Sequence, residues 1–179
     1  MGRPALGTFC FFVSLAALSA GCAEDSSPAD NADGGPPAGD LGTPPREIVR
    51  LAPGTDPSAP THFERPGVTD ASRASAVLYP LDGVLFPRNV HPADVQWEGP
   101  GAQGDLYRVR FAGVLPELTA YVTHTGDAFK YDYAFDTDAW RQLAEASGGR
   151  PVTLTVDRWD RARDEVVRGP ATQVRFARG

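Results

Sequence analysis

The chain has 179 residues, enough for one ordinary domain with accessory segments. Its 17 basic residues stand against 23 acidic ones, a net charge of −6, and that balance excludes a nucleic-acid partner, whose phosphates require clustered Lys and Arg. Cys10 and Cys22 are the only two cysteines and both precede the part expected to fold, which excludes a disulfide framework or a cysteine-based metal site there.

The first 21 residues carry one base, Arg3, then an apolar run from Leu6 to Leu18, then small residues. That run falls short of the roughly 20 apolar residues a spanning helix needs, so residues 1–21 are expected to be a secretory signal peptide. The run ends in Leu18-Ser19-Ala20-Gly21-Cys22, which resembles the lipobox of bacterial lipoproteins, with the bulky Leu18 one place further from the cysteine than usual. The resemblance implies lipidation of Cys22, removal of residues 1–21, and a membrane held as partner through acyl chains. Such chains contribute about 0.8 kcal/mol per buried methylene. Ala23 follows, where such lipoproteins carry Asp for inner-membrane retention; the resemblance therefore implies an outer-membrane location in the cell envelope.

Residues 22–45 are Pro, Gly, Ser, Ala and acid, with Gly34-Gly35-Pro36-Pro37 and Pro44-Pro45. They hold too little apolar surface to offset ordering entropy, and a disordered tether is expected. Residues 46–74 are interrupted by Pro53, Pro57, Pro60 and Pro66 and read as an irregular lead-in, with Glu47 to Leu51 as the alternative of one edge strand. Residues 22–75 hold nine acids and four bases, while residues 76–179 hold 14 acids and 12 bases. The charge therefore sits ahead of the domain, and the domain itself offers no field of one sign.

From residue 75 onward, period-2 alternation dominates. Ala76 to Tyr79 and Val84 to Phe86 read as a first strand broken at Pro80-Leu81-Asp82-Gly83, able to cross between two sheets. A strand ending at Trp97 follows, then a Gly-rich loop, then Leu106 to Phe111, with Tyr107, Val109 and Phe111 on one face and Arg108 and Arg110 on the other. Leu118 to Thr123 and Phe129 to Phe135 alternate likewise. Asp136-Thr137-Asp138 predicts a helix cap, and Ala139 to Ala146 a helix of about two turns closed by Gly148-Gly149. Val152, Leu154 and Val156 form a core face, and Thr172 to Phe176 the last strand. Seven or so short strands with one minor helix predict an all-β, two-sheet antiparallel sandwich over residues 75–179.

Trp97 with its Gly-rich loop and Tyr107-Arg108-Val109 is similar to the second and third strands of fibronectin type III and related immunoglobulin-like modules. Val152 to Val156, Gly169-Pro170-Ala171 and Val174-Arg175-Phe176 resemble their last hairpin. Tyr79-Pro80-Leu81-Asp82-Gly83 and Phe86-Pro87-Arg88-Asn89 resemble the opening of such modules in envelope lipoproteins of soil bacteria. The helix around Trp140 departs from that pattern. The resemblance implies a fold and says little about function.

His62, His91 and His124 lack any metal-ligand spacing, and Asp127, Asp132, Asp136 and Asp138 lack a calcium-loop pattern. No nucleophile elbow, phosphate loop or dinucleotide fingerprint is present, so neither an enzyme nor a cofactor is expected. Trp97 is assigned to the core and Trp140 to a plug at the sandwich end. Trp159, carried outward by the alternation from Val152, is the one aromatic suited to ligand contact. Two readings follow: a lipid-anchored, non-catalytic module contacting an envelope protein, and a carbohydrate-binding or adhesive module using Trp159.

Overall fold

The structure is a computed structural model that describes residues 45–178. The expected signal peptide, Cys22 and nearly all of the expected tether lie outside the described residues. Eleven strands and one α-helix make the domain mostly β, and no described helix is long and apolar enough to cross a membrane.

The strands are β1 (Glu47–Leu51), β2 (Gly67–Val68), β3 (Ala76–Tyr79), β4 (Val84–Phe86), β5 (Asp94–Glu98), β6 (Leu106–Ala112), β7 (Glu117–Thr123), β8 (Asp132–Ala134), β9 (Val152–Asp160), β10 (Glu165–Val167) and β11 (Thr172–Phe176). Helix α1 spans Thr137–Ser147, and a 3-10 helix spans Ala59–Phe63. The larger sheet runs β1-β7-β6-β9-β10-β2, with β11 paired to β9 and β4 paired to β11; the smaller is β3-β5-β8. The broken first strand does what its turn allows: β3 joins the smaller sheet and β4 the larger.

The two sheets share one core. Val95 and Trp97 of β5 meet Tyr107, Val109 and Phe111 of β6, Leu118 and Ala120 of β7, and Val152, Leu154 and Val156 of β9. The Trp97 and Tyr107 rings lie 5.4 Å apart. Trp140 of α1 is buried edge-on against Phe86, Phe111 and Phe176, at 5.4, 5.6 and 5.0 Å. Each such aliphatic or Phe side chain contributes about 1.5–3 kcal/mol when fully buried, so this core dominates the stability of the domain.

Of the two readings of residues 46–74, the edge strand over Glu47–Leu51 holds: β1 lies parallel to β7 at the end of the larger sheet, and β2 lies parallel to β10. Between them the 3-10 helix lays Ala59 and Phe63 on Leu106, Tyr121 and Val166, a second apolar cluster on the far face of the larger sheet. Residues 47–68 thus form a strap fastened at β7 and at β10. The four prolines break the strap into short pieces without preventing its pairing, because a short edge strand needs few backbone donors. One expectation needs correction: the strand expected from Phe129 to Phe135 is only Asp132–Ala134. The Phe129 ring stacks on Tyr107 at 5.6 Å and packs against His124 at 4.5 Å, and Phe129 N–H closes a turn on the Gly126 carbonyl. That turn takes the segment off the ladder although its alternation continues.

Candidate functional site

The strap decides the environment of Trp159. Val152, Leu154 and Val156 of β9 are fully buried in the main core, so period 2 places Trp159 on the opposite face. It lies there, half buried rather than free. His62 of the strap stacks on the indole with ring centroids 3.9 Å apart and planes tilted by 34°. The indole Nε1 donates to Asp164 Oδ1 at 3.0 Å, and Leu106 and Val166 flank Trp159 on the neighbouring strands. Arg65 pairs with Asp164 at 2.6 Å. That guanidinium and then the indole N–H hold the Asp164 carboxyl below its ordinary range.

A groove of about 390 Å³ opens beside this stack, lined in part by Asp56, Ser58, His62, Thr123, Trp159 and Arg161. Asp56 Oδ1 accepts from Ser58 N at 2.7 Å and from Ser58 Oγ at 2.6 Å. The Ser58 hydroxyl first, then its amide, lower the Asp56 carboxyl, so it stands ionised at the groove. Thr55 fixes this side of the strap to the end of β7, accepting from Thr123 N at 3.1 Å.

Arg161 follows β9 directly. Its backbone N–H donates to Asp105 Oδ1 at 3.0 Å, and its side chain crosses Gly104, where an added Cβ would stand 2.6 Å from Nη1. Gly104 has φ +89°, so absence of a side chain there serves both the turn and the path of Arg161. Among the described residues Arg161 forms no ion pair, although Arg158, Arg163 and Arg168 around it all do.

Behind the groove lies a buried ionic network. Arg158 and Asp105, 5% and 3% exposed, pair at 2.9 Å, and Asp105 Oδ2 also accepts from Ala102 N at 3.1 Å. Asp160 meets Arg163 at 2.9 Å, Arg73 at 3.3 Å and Arg158 at 3.6 Å. Burial alone would raise the Asp160 carboxyl, but the Arg163 hydrogen bonds and the adjacent guanidiniums bring it below its ordinary value. The carboxylate oxygens of Asp105 and Asp160 are all engaged, and the network ties the loops around β9 together, while Arg73 Nε and Arg158 Nε are buried without a partner among the described residues.

The other candidates separate in space. His124 accepts from Gly126 N through Nδ1 at 3.2 Å and meets Tyr131 Oη through Nε2 at 3.1 Å, inside an aromatic cluster with Tyr107 and Phe129. His91 Nδ1 meets the carbonyl of Pro92 at 3.3 Å. Among the described residues no three His, Cys, Asp or Glu side chains converge as a metal set would. Asp136 caps α1, and Trp97 and Trp140 are buried. Sequence reasoning singled out Trp159 but missed its partner His62 and the charged Asp56 and Arg161 that line the groove. No protein-family model, curated protein or solved structure matches this chain.

Proposed function

We propose that this chain is a lipid-anchored envelope protein whose immunoglobulin-like domain is a non-catalytic module for contacts with another envelope protein. The lipobox-like Leu18-Ser19-Ala20-Gly21-Cys22 supports the anchor, at Cys22. The fold part is supported by strand order. β3, β5 and β8 correspond to strands A, B and E of fibronectin type III-like sandwiches; β6, β9 and the interrupted β10–β11 correspond to C, F and G. The strap and α1 are additions to that plan.

One observation carries the contact role. Leu78, Tyr79, Leu81 and Leu85, all on the crossing from β3 to β4, are exposed at 48%, 41%, 69% and 61%. Scattered apolar side chains are ordinary on a surface, whereas four large ones within one short crossing, at the edges of two sheets, mark an interaction surface.

The anchor is tested by metabolic labelling with a clickable palmitate: Cys22 acquires label and the protein pellets with membranes, and Cys22→Ser abolishes both. An unlabelled wild-type protein refutes the anchor. For the contact role, a photo-crosslinking residue placed at 85 captures one predominant envelope partner in intact cells. A residue at the exposed helix position 141 does not; equal capture at both positions refutes the surface.

A further inference from the structure

We propose that the groove between the strap and the larger sheet binds a saccharide, an inference resting on the reading of this domain as a non-catalytic binding module. The argument begins with charge. Asp56, on the strap, and Arg161, at the end of β9, both line the groove, yet no ion pair joins them. Each is already fixed by other bonds: Asp56 Oδ1 by Ser58 N–H and Oγ, and the Arg161 backbone by Asp105. Asp56 Oδ2 and the Arg161 guanidinium are left without protein partners among the described residues.

Opposite charges lining one groove are suited to a ligand that donates to one and accepts from the other. A sugar hydroxyl does both, and adjacent hydroxyls on a ring do so at two points, each as a charge-assisted hydrogen bond. Ser58 and Thr123 add hydroxyls to the same lining, and the stacked His62–Trp159 pair adds aromatic surface at its exposed edge. A purely anionic ligand would be repelled by the ionised Asp56, and a purely cationic one by Arg161. An apolar ligand would strand both charges. A neutral polyhydroxylated ring meets all of these conditions, and about 390 Å³ accommodates one or two such rings.

The groove exists only with the strap in place, because Asp56, Ser58 and His62 come from the strap while Thr123, Trp159 and Arg161 come from the sheet. Ligand and strap closure are therefore linked, and the ligand shifts the equilibrium towards the closed strap. Gly104 is the positioning residue: a side chain there collides with Arg161 and removes one wall without touching the other.

The test is calorimetric and fluorimetric titration of the full chain, purified in detergent, with galactose, N-acetylglucosamine, cellobiose and glucuronate, glycerol serving as acyclic control. At least one neutral sugar saturates and shifts tryptophan emission. Asp56→Asn and Arg161→Ala, both at exposed side chains, each weaken it tenfold or more with unchanged thermal unfolding, and glycerol gives no saturable signal. Saturation by none of the sugars, or binding unaltered in both variants, overturns the proposal. Preference for glucuronate over every neutral sugar also overturns it. These failures leave the Cys22 labelling and position-85 crosslinking results untouched. Failure of that crosslinking leaves the titration standing.

Discussion

Asp136 shows how much one side chain does at the end of an element. It accepts from Ala139 N at 2.9 Å as the cap of α1 and from Arg50 Nε at 2.7 Å, tying β1 to the helix start. The Ala139 amide first, then Arg50, hold its carboxyl below the ordinary range. Because the folded value is the lower one, the stabilisation is full above the unfolded carboxyl value of about 3.9 and disappears as pH falls through the folded value. Asp136→Ala therefore costs about 1 kcal/mol at neutral pH, and the gap from wild type closes in strong acid, as urea titrations at several pH values would record. Gly169 makes a second residue-scale prediction. A Cβ there would penetrate the Val156 carbonyl oxygen and stand 2.9 Å from that of Ser75, both backbone atoms. Backbone cannot rotate away as a side chain can. Gly169→Ala thus lowers stability by about 1–3 kcal/mol, read as a lower urea midpoint at unchanged slope.

At the scale of elements the strap is the informative case. Phe63, 4% exposed, is its main apolar fastening, lying over Leu106, Tyr121 and Val166 with the Arg108 guanidinium 5.1 Å from its ring centre. Removing such a ring costs about 3–5 kcal/mol if the whole domain must answer for it. The strap has its own small cluster and two short parallel ladders, so Phe63→Ala frees the strap ahead of the sandwich. Amides of β2 and the 3-10 helix lose hydrogen-exchange protection, while those of β6 and β9 keep it. Equal loss throughout would show that strap and sandwich open as one unit. The same element explains what could be read from the chain. β6 and β11 bury alternate residues over most of their seven and five positions, as does the first half of β9, and period 2 is legible at that length; β7 buries five residues in a row. β2 has two residues and β10 three, too few for any period. Trp159 could be placed outward by phase, but what covers it comes from far away: Arg65 meets Asp164 across 99 positions, and Thr55 meets Thr123 across 68. No local pattern encodes such meetings, so half of the groove was invisible until the strap was seen to cross the sheet.

Considered whole, the molecule is held together by late pairings. The three parallel ladders, β1 with β7, β2 with β10 and β4 with β11, each join the first part of the domain to strands that follow long afterwards. Val174 and Phe176 of β11 are fully buried in the main core, so neither the β4 edge nor that core is complete until the last strand arrives. Loop closure must be met before such contacts stabilise anything. Refolding from urea, followed by the fluorescence of buried Trp97 and Trp140, should accordingly take milliseconds to seconds, as in other domains dominated by non-local strand pairing. A chain truncated after Arg168 loses β11 and with it the partner of β4, and should show no cooperative unfolding transition. The strap precedes both of its partner strands in the chain, so the strap and its groove form only when β7 and β10 are in place. A truncated chain that nevertheless melts sharply, with Trp97 emission as blue as in the full protein, would refute this dependence on the last strand.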